Sequence, residues 1–90
     1  MIRGEYQAAI QYFHEALSIE ERILGKKHPN YARSLNNIGC VYKDMGSYEK
    51  ALKYFQDCLV IQEKICGKSH PDYSTILNNI GSIFQNMENY

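Results

Sequence analysis

The sequence predicts an all-α fold: four helices in antiparallel succession, built as an array of repeated helix–turn–helix units. Three observations predict it. Shifted by 42 residues the chain matches itself, with 21 identities among 48 aligned pairs, and self-similarity at such a period marks a repeat architecture. Apolar residues recur at helical spacing in every segment. Glycine and proline fall between those segments, at matching places in both copies.

The first helix is expected over Glu5–Leu24. Tyr6, Ala9, Ile10, Phe13, Ala16, Leu17 and Leu24 give it one apolar face by the i, i+3, i+4, i+7 rule. Gly25 stands just past its end, where a left-handed residue is needed. The second helix is expected over Pro29–Met45, with Leu35, Ile38, Val41, Tyr42 and Met45 inward. Pro29 suits the first helical position, where a missing N–H costs nothing, and the residue before proline, His28, is held out of the helical region. Gly46 and Ser47 make the tighter second turn, Ser47 being the expected N-cap.

The third and fourth helices repeat the first two. Ser47–Cys66 carries Tyr48, Ala51, Leu52, Phe55, Cys58 and Leu59 on its apolar face. The loop Gly25-Lys26-Lys27-His28-Pro29-Asn30-Tyr31 returns as Gly67-Lys68-Ser69-His70-Pro71-Asp72-Tyr73. Pro71–Met87 then carries Leu77, Ile80, Ile83, Phe84 and Met87, with Asp72 near its positive end. Leu35-Asn36-Asn37-Ile38-Gly39 returns as Leu77-Asn78-Asn79-Ile80-Gly81. A glycine inside a helix costs about 1 kcal/mol against alanine, so Gly39 and Gly81 predict a neighbouring helix crossing at close range; approach of a ligand is the alternative. Short connections make consecutive helices antiparallel.

Composition narrows the function. Ninety residues make one domain, and ten basic residues balance ten acidic ones without a block of either sign. That argues against nucleic acid, which needs a basic footprint, and against an anionic membrane surface. The longest apolar run, Cys58-Leu59-Val60-Ile61, is far too short to span a bilayer. The first residues carry no apolar leader segment, so a cytoplasmic location is expected. Cys40, Cys58 and Cys66 are odd in number and lack CxxC spacing, which points to small apolar side chains rather than zinc or disulfides; a redox-active thiol at Cys40 is the alternative. His28 and His70 recur because the loop recurs, not as a metal pair. No Ser-His-Asp set, phosphate loop or HExxH run is present, so no catalytic, cofactor or metal site is expected. The eight tyrosines read as packing residues, Tyr6, Tyr48 and Tyr90 sharing one repeat position.

Leu35, Ile38, Gly39, Tyr42, Gly46, Tyr48, Ala51, Phe55 and Cys58 follow the pattern apolar–x–x–apolar-Gly–x–x–aromatic, then Gly–x–Tyr–x–x–Ala–x–x–x–Phe–x–x–small. In this the chain resembles the tetratricopeptide repeat. The 42-residue unit and the Gly-Lys-x-His-Pro loop resemble the long-unit subclass of kinesin light chains. The resemblance implies a right-handed superhelical stack of helix pairs, an α-solenoid, here in B-A-B-A order over residues 1–90. It implies a piece of a longer array, because the chain opens on a B helix and closes on an A helix. Glu88 departs from the pattern at the position of Gly4 and Gly46.

The resemblance further implies a protein–protein interaction module whose A helices line a concave peptide-binding groove. The positions it assigns to the groove are Arg33, Asn36, Asn37, Cys40, Lys43 and Asp44, with their copies Thr75, Asn78, Asn79, Ser82, Gln85 and Asn86. Asparagine can both donate to and accept from a peptide backbone; Arg33 and Lys43 suit acidic groups. The alternative for the asparagines is pairing between helices. A second function, from a different class, is a self-assembling repeat that associates through open ends. Tyr6, Ile10, Phe13 and Leu17 are then the expected exposed set at one end, and Ile83, Phe84 and Met87 at the other.

Overall fold

A computed structural model describes residues 3–88 as four α-helices, with no strand among the described residues. They are α1 (Arg3–Ile23), α2 (Pro29–Met45), α3 (Tyr48–Cys66) and α4 (Pro71–Glu88). Tyr90, expected to share its repeat position with Tyr6 and Tyr48, lies outside the described residues. Each helix lies against its chain neighbours, and α2 also touches α4, so the stack is a layered slab of 37 × 30 × 17 Å.

The turns follow from their residues. At the end of α2, Gly46 takes φ 84°, its N–H donating to the Lys43 carbonyl (3.0 Å) while Ser47 N–H donates to the Tyr42 carbonyl (2.9 Å). That 6→1 and 5→2 pair satisfies carbonyls the helix would leave open, and its left-handed residue is sterically cheap only for glycine. Ser47 holds the N-cap position of α3, but its hydroxyl makes no cap bond; its carbonyl accepts from Ala51 N–H at 3.1 Å. The side-chain caps lie at the histidines instead. His28 Nδ1 accepts from Asn30 N–H, and His70 Nδ1 from Asp72 N–H, each at 3.1 Å. The proline ring that follows keeps each histidine extended, with His28 at φ −86° and ψ 143°, and this aims the imidazole back over the first turn.

The core lies between α2 and α3 and extends to α4. Ala51, Phe55 and Cys58 of α3 meet Tyr31, Ala32 and Leu35 of α2, with Ile76 and Ile83 of α4 joining the cluster. Gly39 is the close crossing: a Cβ there would stand 2.8 Å from the Phe55 ring. Gly81 is a correction to the expectation, since nothing lies within 4 Å of where its Cβ would be. The four residues before it match those before Gly39, but no helix among the described residues lies over it. The same cause exposes Leu77, expected inward; its copy Leu35 is buried beneath α3. Leu24, expected inward on the first helix, is exposed past the end of α1.

The end faces also differ from the expected sets. Ile10 and Ile83 are buried, the latter completely, and so are not open surface. Ile83 sits in the core cluster, as the copy of buried Val41. Tyr6 is half-buried and its hydroxyl donates to the Asp44 carbonyl at 3.4 Å, while Leu17 lies against the core. These α1 residues face α2. Phe13 is half-buried; Phe84 and Met87 are exposed.

Candidate groove between the A helices

The surface shared by α2 and α4 is built from positions that recur at the 42-residue shift. Asn79 Nδ2 donates to Asn36 Oδ1 at 3.1 Å, and Lys43 Nζ donates to Ser82 Oγ at 3.2 Å. Four of the expected groove residues thus meet across the two helices, as pairs. Asn37 is half-buried and Asn78 is exposed. Arg33 is exposed near the start of α2, and Thr75 Oγ1 donates to the Pro71 carbonyl one turn back.

Near the helix N-termini the surface opens into a cleft of about 100 Å³, with Arg33, Asn36, Asp72 and Thr75 at its polar edge and Ala32, Cys58 and Ile76 on its apolar side. Gln62 of α3 reaches it while remaining buried. Pockets for small molecules usually run from about 300 to 1,000 Å³, so this cleft suits one side chain of a larger ligand. Sequence reasoning found Arg33, Asn36 and Thr75 but missed Gln62, Asp72 and Ile76. A signal existed for two of them. In the first repeat the same positions are Glu20 and Ser34, and Ser34 Oγ donates to Glu20 Oε1 at 2.5 Å. The copy exchanges that polar pair for Gln62 and Ile76, which gives the cleft its apolar side.

Cys58 lies at the base of this region, 1 % exposed, its thiol donating to the Ala32 carbonyl at 3.1 Å. Burial, with Asp72 nearby, pushes its pKa up to about 12. Burial also raises Cys40, Asp44 adding to the shift and Lys43 opposing it. Reactive thiolates need the opposite shift. The three cysteines are unpaired, and Cys66 is exposed. Among the described residues no group of three His, Cys, Asp or Glu side chains is placed to hold a metal ion.

A larger hollow, about 390 Å³, opens between α1, α2 and α3. Its aromatic groups already engage one another. Tyr42 and Tyr54 stack at 5.6 Å, Lys50 stands 5.5 Å over the Tyr42 ring, and His14 meets Tyr54 edge-on. At the α2–α4 cleft the Arg33 guanidinium is exposed, and the exposed Asp72 carboxylate stands 3.6 Å from His70 Nδ1.

No helix among the described residues is long and apolar enough to cross a membrane. No curated protein matches the chain at a significant level. The model of the tetratricopeptide repeat matches residues 1–64 and again 41–90, two overlapping placements whose starts lie close to one repeat apart. Such repeats generally mediate protein–protein interaction and are typically non-catalytic scaffolds. Repeat period, alternating helices, glycine crossing and family match agree, and the chain belongs to the tetratricopeptide repeat family.

Proposed function

We propose that the α2–α4 surface binds a peptide segment of a partner protein, within an adaptor of the long-unit subclass and as part of a longer array. One observation carries the reading: the cleft joins a polar edge, Arg33, Asn36, Asp72 and Thr75, to an apolar side of Ala32, Cys58 and Ile76. The apolar side takes one partner side chain. The edge serves the backbone and its charges. Asn36 and Asn79 position one another and keep hydrogen-bonding capacity beyond their mutual bond, since each amide has two N–H donors and two acceptor lone pairs. Arg33 and Lys43 favour acidic groups. The cytosol is the proposed setting, and three unpaired cysteines fit a reducing compartment.

A peptide array read by fluorescence, repeated with Thr75→Arg and Arg33→Ala, both at exposed positions lining the cleft, tests it. Selected sequences should share one small apolar residue beside an acidic one, and both variants should lose them. Sequences retained by both variants would place binding elsewhere.

A further inference from the structure

Gln62 is a buried polar residue whose amide has no partner in the chain. It belongs to α3, is 4 % exposed, and lines the cleft between α2 and α4. Among the described residues no hydrogen bond ends on its side chain. No fully enclosed side-chain nitrogen or oxygen among them lacks a partner, so the amide is not sealed in; it opens on the cleft. One repeat earlier the same position is satisfied within the chain: Glu20 accepts from Ser34 Oγ and ties α1 to α2. In the copy, glutamine replaces the glutamate and Ile76, 3 % exposed, replaces the serine. The tie is lost and the polar group remains. The cleft lies within the stack rather than on its outer face. A further helix packed on α4 as α3 packs on α2 would cover Leu77 and Gly81, the copies of Leu35 and Gly39, and neither lines the cleft.

We propose, resting on the peptide-binding reading of the α2–α4 surface, that Gln62 selects threonine as the small residue a partner peptide seats in this cleft. In the free chain solvent reaches the amide through the cleft. A side chain that fills the cleft displaces that solvent and must replace its hydrogen bonds, or affinity is lost. The space, about 100 Å³, takes a small group. Ala32 and Ile76 offer an apolar wall for its methyl. The Cys58 thiol already donates to the Ala32 carbonyl and does not compete for the ligand. An amide carries both donors and acceptors, and a hydroxyl donates and accepts, so each satisfies the other. Arg33 and Asp72 set one charge of each sign at the edge, which gives the seat no bias toward an ion. Valine has the shape of threonine without the hydroxyl. A site built to hydrogen-bond a group rejects the analogue lacking it, whereas an apolar site barely separates the two.

Fluorescence anisotropy with labelled pentapeptide pools tests the selection. Each pool has aspartate beside one fixed position, threonine or valine at that position, and random residues elsewhere. The native chain should bind the threonine pool about tenfold more tightly than the valine pool. Gln62→Met keeps the length and removes the amide, so it should bring the two pools to equal affinity. Its Tm should be unchanged or higher, since no bond within the chain is lost. Thr75→Arg, at the exposed edge of the cleft, should abolish binding of both pools. Equal binding of the two pools by the native chain, lost in Thr75→Arg, overturns the role of Gln62 and leaves the groove standing. A threonine preference that survives Gln62→Met does the same. A marked fall in Tm on Gln62→Met reveals a structural partner for the amide and overturns the proposal without any peptide. Binding that survives Thr75→Arg, or no binding of either pool, removes the groove and the selection together.

Discussion

The ring of Phe55 lies across the backbone of Gly39 so closely that a Cβ on the glycine would stand 2.8 Å from the ring's Cε1 and 3.0 Å from two further ring atoms. Phe55 is completely buried and cannot swing into solvent. The missing side chain of one residue is the space occupied by the other.

Gly39→Leu should therefore destabilise the fold by about 1–3 kcal/mol through overpacking, although leucine is the better helix former. Gly81→Ala, at the same place in an identical pentapeptide, should instead stabilise by up to about 1 kcal/mol. Urea melts of the two variants beside the native chain check both signs. A Gly39→Leu chain more stable than the native one would contradict the crossing.

The imidazole caps lead to a local prediction. His28→Ala removes the acceptor held by Asn30 N–H. Loss of an N-cap costs about 0.5–2 kcal/mol, and the first-turn amides of α2 should exchange with solvent faster than those of α4. His28→Asn, which keeps an acceptor, should restore most of the loss. Equal exchange in native and His28→Ala chains would deny the cap an energetic role.

Alkali should weaken the fold, beginning with Cys58. Its thiol is raised from an ordinary 9.0 to about 12. Above pH 9 the unfolded chain has released a proton that the folded chain keeps, so stability falls as pH rises. The contribution is complete below pH 9 and declines by up to about 1.4 kcal/mol per pH unit toward pH 12. Burial raises Cys40 from the same 9.0, and Tyr31 and Tyr54 from 10.0, all in the same direction, so the interval between pH 9 and 10 reports the two thiols and Cys58→Ala separates them. Cys58→Ala should flatten the stability profile there, whatever it does to the absolute value. Iodoacetamide should label exposed Cys66 in the folded chain and reach Cys58 on unfolding.

The groove asparagines should separate by role. Asn36→Ala or Asn79→Ala breaks a hydrogen bond between helices and should cost about 0.5–1.5 kcal/mol, with strong coupling in a double-mutant cycle. Exposed Asn78→Ala should leave Tm in place. Removing exposed Arg33 and half-buried Lys43 together should mainly weaken acidic peptides and flatten the salt dependence of their affinity, because charges open to solvent are screened. Unchanged binding after all these substitutions would assign the asparagines to structure alone.

The helices and their turns were legible because local rules determine them: apolar spacing, proline at Pro29 and Pro71, and left-handed glycine at Gly25, Gly46 and Gly67. The surroundings of a residue were less legible. Gly39 and Gly81 follow the same four residues, yet one is covered and the other open, because burial depends on the helix lying opposite. The asparagine pairs show the same limit. Asn36 bonds Asn79, one from the first position of its pair and one from the second, a choice made by the offset between α2 and α4. The histidine caps were hidden for a different reason. The sequence marks His28 and His70 as residues held outside a helix, but the aim of the imidazole depends on backbone angles that only the fold supplies.

Contact between chain neighbours, with only a slight touch of α2 on α4, makes the molecule a set of joints in series. Pulled from its two ends, such an object shares one tension among all its joints, and the weakest yields first. The α2–α3 joint is the most extensive, with Phe55 locked over Gly39, while α1 and α4 are each held chiefly on one side. Under load the outer helices should peel away one at a time, giving a staircase of small extensions while the central pair holds. The chain then behaves as a soft spring with a stiff centre, able to lengthen and recover without losing the pair from which it can rewind.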